Sequence, residues 1–313
     1  MSGTEGWGFT DDRGAELGAD RVPLRVAAYV RAGAALLDLG VTPVAVYGSG
    51  HDGEELDPAK AGGLRAAGVP YLGPGRALDA EVLSELRPDV IVDVTYDGKS
   101  PYALDEAVAE RLGIPLVALS VGSELPLPAI LDRFAALAAS LAAEPVRPAS
   151  GAGSASEPVR SASGAASTAG SGPAVSGAES APPAPVADLT AAEALLRGVA
   201  ARSGVAVLAL SGAGAEQVHL ARPQAWPELA RLAGLGVRLL DPGPGPGANW
   251  LTGDWARVAE LRPGLVLFDD REHATPPSGL PSGVRLVPWN PETPPSPAAY
   301  ARFFRDLAEA LAA

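Results

Sequence analysis

Leu86-Arg87-Pro88-Asp89-Val90-Ile91-Val92-Asp93 reads as the end of a helix, a proline break and a buried strand. Leu261-Arg262-Pro263-Gly264-Leu265-Val266-Leu267-Phe268-Asp269, far downstream, reads the same way. Working outward, each copy is preceded by a short strand with a glycine-proline exit. These are Gly68-Val69-Pro70-Tyr71-Leu72-Gly73-Pro74-Gly75 and Gly236-Val237-Arg238-Leu239-Leu240-Asp241-Pro242-Gly243. Each copy is followed by a further apolar run, residues 114–120 and 284–289. Three elements in one order, met twice, predict two similar α/β lobes, and a cleft between two such lobes is a natural place for a ligand.

Composition narrows the class. The chain has 313 residues, 47% of them hydrophobic, enough for two domains with cores of their own. Helical stretches alternate with apolar runs of four to seven residues, which predicts Rossmann-like lobes with parallel sheets covered on both faces. A net charge of -13 argues against nucleic acid as a partner, because no basic patch exists to displace counterions. Without cysteine there are no disulfides, thiolate nucleophiles, cysteine metal ligands or lipidated cysteine in this sequence. No apolar run approaches the ~18 to 20 residues of a membrane span. Met1 to Gly6 lacks the basic and apolar regions of an export signal. A cytoplasmic location is therefore expected, or an extracellular membrane-associated one if the sequence is a trimmed mature form.

Four segments are expected along the chain. Residues 1–124 form a first α/β lobe, with Asp11-Asp12-Arg13-Gly14 as a turn between two short strands. It continues with a strand over 22–30, a helix over 32–39 and a strand over 43–47. Residues 125–144 hold an inter-lobe helix, on which Ile130, Leu131, Phe134, Leu137, Ala138 and Leu141 recur at three- and four-residue spacing. Residues 145–187 are almost wholly Ala, Ser, Gly, Pro and Val, and repeat Glu-Pro-Val-Arg at 144–147 and 157–160. Such a composition buries too little apolar surface to offset the entropy of ordering, so a disordered linker is expected. Residues 188–313 form the second lobe, with a helix over 189–201, a strand over 205–210 and a last helix over 297–312.

Two glycine-rich stretches imitate dinucleotide sites. Gly48-Ser49-Gly50-His51-Asp52-Gly53 follows a strand, but Glu54 and Glu55 stand where a pyrophosphate would lie. The helix there starts only at Pro58, capped by Asp57, and the next strand ends without the acid that takes a ribose hydroxyl. Gly212-Ala213-Gly214-Ala215-Glu216-Gln217 has Gln217 at the third position, and Pro223 and Pro227 interrupt the helix it would need. A cleft loop is the better reading of the first stretch, and a nucleotide is not expected at the second. His51, His219 and His273 lack companion ligands at metal spacing, and for the two of them in predicted loops solvated histidine is the better reading. No G-x-S-x-G elbow is present, and nothing amounts to a catalytic constellation.

The aromatic residues are few, 5% of the chain, yet they are placed suggestively. Tyr29, Tyr47, Tyr71, Tyr96 and Trp289 each fall near the C-terminal end of a predicted strand, the edge at which open α/β sheets bind ligands. Trp226, Trp250 and Trp255 fall in predicted loops of the second lobe. Singly, each is better read as filler; together they predict an aromatic-lined cleft with Arg271, Lys99, Arg31 and Asp97 as polar contacts. The expected cleft residues are Tyr29, Tyr47, Tyr96, Trp226, Trp250, Arg271 and Trp289. Arg271 is the leading polar contact, unless Asp269, Asp270 or Glu272 engages it and it only holds its own loop.

Several of these segments carry a family pattern: Trp7-Gly8-Phe9-Thr10-Asp11-Asp12-Arg13-Gly14, Arg25-Val26-Ala27-Ala28-Tyr29, the Leu86 to Asp93 strand and Tyr96-Asp97-Gly98-Lys99. Pro223-Gln224-Ala225-Trp226-Pro227-Glu228-Leu229, Trp255 and Leu265-Val266-Leu267-Phe268-Asp269-Asp270-Arg271 complete it. Through them the chain, outside 145–187, resembles the ABC-transporter solute-binding proteins of the ferric-siderophore and vitamin B12 type. The resemblance implies two lobes joined by one long helix that limits closure, and a shallow cleft where aromatics and arginines hold an iron chelate. It implies lobe surfaces that dock on an ABC permease through carboxylates. The expected function is therefore non-enzymatic binding of a ferric siderophore, hydroxamate in type, by a monomer. No resident cofactor or metal is expected, iron arriving only within its chelate. Family members are exported, usually as lipoproteins, so the absent signal and cysteine keep a cytosolic enzyme or metabolite binder of secondary metabolism as the alternative. A nucleotide-sugar transferase would need a phosphate site that the sequence does not offer.

Overall fold

The computed structural model describes residues 6–142, 184–277 and 279–313. Most of the expected linker, residues 145–183, lies outside the described residues. Residues 184–187 belong instead to the first turn of a helix, so the second lobe's helical layer begins earlier than composition indicated.

The first lobe opens with an antiparallel hairpin, β1 (Trp7–Thr10) and β2 (Glu16–Ala19). Its turn carboxylates brace it against the rest of the lobe. Asp11 accepts hydrogen bonds from the backbone of Arg13, Ala15 and Ala118, and Asp12 accepts from Ser120 N at 2.7 Å and Arg133 Nε at 2.6 Å. Residues 118 and 120 lie on the strand β7 (Leu116–Ser120), so the hairpin covers what would otherwise be an open sheet edge. The sheet itself contains β3 (Val26–Tyr29), β4 (Ala45–Gly48), β5 (Tyr71–Pro74), β6 (Val90–Thr95) and β7. All are parallel, in the order β5-β4-β3-β6-β7. β3, β4, β6 and β7 are buried along their whole length, as a sheet covered on both faces requires. Strand order reverses between β3 and β6, which opens a crevice at their C-terminal ends.

The second lobe departs from the all-parallel reading. β8 (Ala206–Gly212), β12 (Leu265–Asp269) and β13 (Arg285–Trp289) run parallel, and the short β10 (Arg238–Leu239) runs parallel to β8. However, β9 (Gln217–Ala221) and β11 (Trp250–Asp254) are antiparallel. The reversal is made at Gly212-Ala213-Gly214, where Ala213 N bonds Gln217 O at 3.0 Å and Gly214 adopts φ 108°. A hairpin turn, not a helix, follows the glycines, and this removes the second dinucleotide imitation. Trp250 accordingly lies in a strand and Trp255 begins the helix α8 (Trp255–Leu261); neither is a loop residue.

Helices complete the layers. In the first lobe α1 (Val30–Asp38) follows β3 directly, α2 (Pro58–Ala61) follows the β4 exit loop, and α3 (Ala80–Leu86) and α4 (Glu106–Leu112) precede β6 and β7. The long helix α5 (Leu127–Ala142) is shared between two hydrophobic cores. Ile130, Phe134, Leu137, Ala138 and Leu141 join the first-lobe core, whereas Leu127 and Leu131 join that of the second. α6 (Ala184–Ser203), α7 (Pro227–Gly234) and α9 (Pro297–Ala312) cover the second sheet. α9 begins where Ser296-Pro297 places it, the Ser296 hydroxyl accepting from Ala299 N at 3.1 Å with proline in the first turn. No helix among the described residues is long and apolar enough to cross a membrane.

The repeated Leu-Arg-Pro segment is repeated in backbone geometry too. Arg87 and Arg262 are the non-glycine residues of positive φ among the described residues, at 46° and 50°, and they end α3 and α8. A side chain in the left-handed region is crowded, which is why glycine usually fills this cap. Arg87→Gly and Arg262→Gly should each raise stability by about 0.5 to 1 kcal/mol in urea denaturation. A loss of stability in both would show that the arginine side chains contribute more than their backbone geometry costs.

Candidate functional site: the inter-lobe cleft

The exit loops of four parallel strands meet between the lobes. After β4, Asp52 folds back and accepts from Ser49 N at 2.6 Å and Ser49 Oγ at 2.8 Å. The glycine-rich loop is thus closed on a carboxylate of its own, which would repel a bound phosphate. Asp57 caps the helix at Pro58, accepting from Ala59 N at 2.9 Å, and reaches the other lobe through Glu272 N at 3.0 Å.

After β6, Asp97 accepts from Thr95 Oγ1, Lys99 N and Ser100 N, and the two backbone donors lead in holding its carboxyl down at about 2. Asp97 is thus occupied with its own turn, and Lys99 is an exposed residue of that turn. Arg31, 3% exposed, gives its guanidinium to Thr293 O at 3.2 Å and Tyr96 Oη at 2.9 Å. Arg31 and Asp97 are therefore scaffold, whereas the exposed Lys99 side chain forms no hydrogen bond or ion pair among the described residues.

After β12, Asp269 grips Arg271 in a fork: Nε to Oδ1 at 2.9 Å and Nη2 to Oδ2 at 2.7 Å. Arg271 Nη1 lies 2.9 Å from Glu292 Oε1. Three of the five guanidinium N–H groups are thereby used, and one on each terminal nitrogen is left over. Arg271 occupies the place in its repeat that Tyr96 occupies in the first, the same distance along the chain after Arg262 as Tyr96 is after Arg87.

After β13, the chain crosses to the first lobe. Asn290 Nδ2 donates to Ala59 O at 2.6 Å, and the Ser296 hydroxyl donates to Asp38. Glu292, 3% exposed, is the centre of this junction. It accepts from the Tyr29 hydroxyl and lies 2.9 Å from Lys60 Nζ, while Lys60 also lies 2.7 Å from Asp52 in ion-pair contact. Burial alone would raise the Glu292 carboxyl, but the charges of Lys60 and Arg271 hold it down at about 2.

The second-lobe wall is Trp226 and Trp250, with Trp289 packed behind them. Trp226 and Trp250 have ring centroids 4.9 Å apart, Trp226 and Trp289 5.7 Å, and Trp250 and Trp289 5.9 Å, the last pair tilted and the others edge-on. Trp226 Nε1 donates to Asn249 O at 3.2 Å, and Trp289 Nε1 to Glu228 at 3.3 Å. Burial pushes the Glu228 carboxyl up to about 6. Tyr96 and Tyr102, edge-on at 4.9 Å, form the facing wall in the first lobe.

A cavity of about 280 Å³ lies between these walls, bordered also by His51, Asn249, Arg271, His273 and Glu292. A second hollow of about 340 Å³ shares Trp250, Arg271 and His273 with it and is lined also by Ser211 and His219. A larger one, about 490 Å³, takes no residue from the second lobe; it is lined by Arg76, Asp105 and Glu106 and touches the cleft only through Tyr102.

Of the seven residues expected from sequence, Tyr96, Trp226, Trp250 and Arg271 border the cavity, and Tyr29, Tyr47 and Trp289 do not. Tyr29 and Tyr47 are 0% exposed and Trp289 1%. They stand at strand ends but on faces packed by other elements. Tyr29 holds Glu292, Tyr47 donates to Asp93 at 3.3 Å, and Trp289 backs the other two tryptophans. Sequence reasoning missed Tyr102, Asn249 and Glu292 and set aside His51 and His273. The two histidines come from opposite lobes and lie 6.4 Å apart, ring centroid to centroid. Burial, seconded by Arg271, lowers the His273 pKa and so favours its neutral form.

No protein-family model matches the chain, and no curated protein matches it in sequence. Solved structures do. The crystal structure of DesE, a ferric-siderophore receptor protein from Streptomyces coelicolor, superposes with a TM-score of 0.73 over 98% of both chains at 23% identity. The chain has the fold of the siderophore and heme binding proteins. The siderophore periplasmic binding protein from the fuscachelin gene cluster of Thermobifida fusca gives 0.56 at 13% identity, over 92% of this chain and 96% of that one. The periplasmic heme-binding protein RhuT from Roseiflexus sp. RS-1 gives 0.54 at 15% identity, over 92% and 97%. In this binding-protein fold, the two-lobed frame and the shared helix α5 place the aromatic cavity in the cleft.

Proposed function

We propose that the chain binds a ferric siderophore of hydroxamate type in the inter-lobe cleft and presents it to an ABC permease for iron uptake. The carrying observation is the cavity itself, walled by Tyr96 and Tyr102 on one lobe and Trp226 and Trp250 on the other, with Arg271 at its edge. Flat aromatic faces suit the apolar outside of a chelate whose iron is wrapped by its own donors. The two remaining N–H groups of Arg271 suit the oxygen acceptors of a neutral hydroxamate, and its fork geometry is fixed in advance by Asp269. The loop closed by Asp52 weighs against a nucleotide-sugar enzyme.

Calorimetric titration against a ferric trihydroxamate, a ferric tricatecholate, vitamin B12, heme and a UDP-sugar tests this reading. It expects saturable one-to-one binding of the trihydroxamate, tightest among the five. Binding of the UDP-sugar without any chelate would overturn it.

A further inference from the structure

Tyr102 is part of the cavity wall, yet it stands in a segment, residues 96–105, that forms neither helix nor strand. Asp97 braces only the start of that segment, through Lys99 N and Ser100 N. The part that carries Tyr102 is held from beneath. Tyr102 N donates to Val94 O at 2.9 Å. The next two residues turn their N–H groups onto Asp93, Leu104 N lying 2.9 Å and Ala103 N 3.2 Å from Oδ2. Val94 N donates to Asp93 Oδ1 at 2.7 Å, and the Tyr47 hydroxyl of β4 completes the set at 3.3 Å.

Asp93 is 0% exposed in β6 and forms no ion pair among the described residues. Tyr47 is the titratable side chain that faces it; its other partners are backbone N–H groups. An ionised carboxylate only accepts, which suits such a ring of donors. A neutral one brings a proton into that ring and gives up an acceptor position.

From this geometry we infer that Asp93 is a positioning residue of the ligand site: ionised, it holds residues 102–104 so that Tyr102 walls the cavity, and its protonation loosens that wall and weakens binding. The inference rests on the proposed chelate reading and adds to it a residue that does not border the cavity. Burial, opposed by the N–H groups of Leu104, Val94 and Ala103, pushes the Asp93 carboxyl up to about 6. Asp97, held at about 2, stays ionised over the same interval, so the exposed turn persists while the buried anchor titrates. The sign follows: affinity is full above about pH 6 and declines as the pH falls through it. By linkage, a bound chelate must in turn favour the ionised Asp93.

The test compares the full chain with Asp93→Asn, which carries no charge at any pH, by tryptophan-fluorescence titration with a ferric trihydroxamate from about pH 8 to about pH 5. Other ionisable groups of the cleft, Glu228, His51 and His273 among them, are common to both proteins, so the ratio of the two affinities isolates Asp93. The parent should bind roughly tenfold more tightly at pH 8, the cost of ordering a loosened wall, and the ratio should approach one at pH 5. A ratio that does not change with pH, with both proteins binding, would overturn the inference and leave the chelate reading standing. A second measurement needs no substitution and no ligand. In the parent, the amide NMR signals of Ala103 and Leu104 should titrate together with a midpoint near about pH 6. Signals unchanged between pH 5 and pH 8 would overturn the inference whether or not Asp93→Asn folds. No saturable binding of the chelate by the parent at pH 8 would overturn both readings.

Discussion

Glu292→Gln will lower the stability of the protein by about 3 kcal/mol in denaturant titration. Glu292 is the one carboxylate that Tyr29 and Lys60 of the first lobe share with Arg271 of the second, and Lys60 is 0% exposed. A neutral amide leaves Lys60 with Asp52 alone and Arg271 with Asp269 alone, so buried cations lose a counter-charge that water cannot replace. The magnitude follows from the carboxyl being held at about 2 when folded, against an ordinary value of about 4.3 when unfolded. The sign follows as well. A carboxyl lowered by folding stabilises fully above about pH 4.3, and that contribution is lost as the pH falls toward about 2. Stability measured from pH 5 down to pH 2 should therefore fall more steeply in the parent than in Glu292→Gln. Parallel curves would show that the cluster does not hold the lobes together.

Trp250→Ala will weaken chelate binding by about 2 kcal/mol, roughly thirtyfold, with little change in fold. Trp250 is half-buried at the start of β11 and borders both the aromatic cavity and the hollow beside it. Tyr47→Phe provides the contrast. It removes a buried hydroxyl donated to Asp93, so it costs stability, yet it should leave affinity unchanged because Tyr47 lies beneath the sheet surface. A Trp250→Ala variant that binds like the parent, or a Tyr47→Phe variant that is folded and loses binding, would move the site elsewhere.

Local signals account for what the sequence revealed. The Leu-Arg-Pro repeat marks two helix ends and two buried strands because proline breaks the helix and β6 and β12 open on the apolar runs Val90-Ile91-Val92 and Leu265-Val266-Leu267-Phe268. Ser296-Pro297 marks the start of α9, and the periodicity of 130–141 marks α5, since caps and amphipathic spacing act within a few residues. The antiparallel strands β9 and β11 were illegible, because the glycine- and proline-rich run before Trp250 reads as loop and their pairing is made only with each other and β8.

The same distinction runs through the site. Tyr96 and Arg271 are legible because the repeat places them at matching strand exits. Tyr29, Tyr47 and Trp289 also sit at strand ends, but both faces of their sheets are packed, so alternation could not tell a cleft-facing ring from a core one. Glu292 lies in a proline-rich loop, and its role depends on Tyr29 and Lys60, which are remote in sequence. Nothing local announces such a residue.

The most direct measurement is quenching of intrinsic tryptophan fluorescence by a ferric trihydroxamate and by the same compound free of iron. Trp226, Trp250 and Trp289 are clustered at the cleft, so a chelate seated there would be read by all three. The account predicts saturable quenching with one iron-loaded chelate per chain, and no saturation with the iron-free form. Saturable binding of heme or a nucleotide sugar, with no response to any ferric chelate, would contradict it.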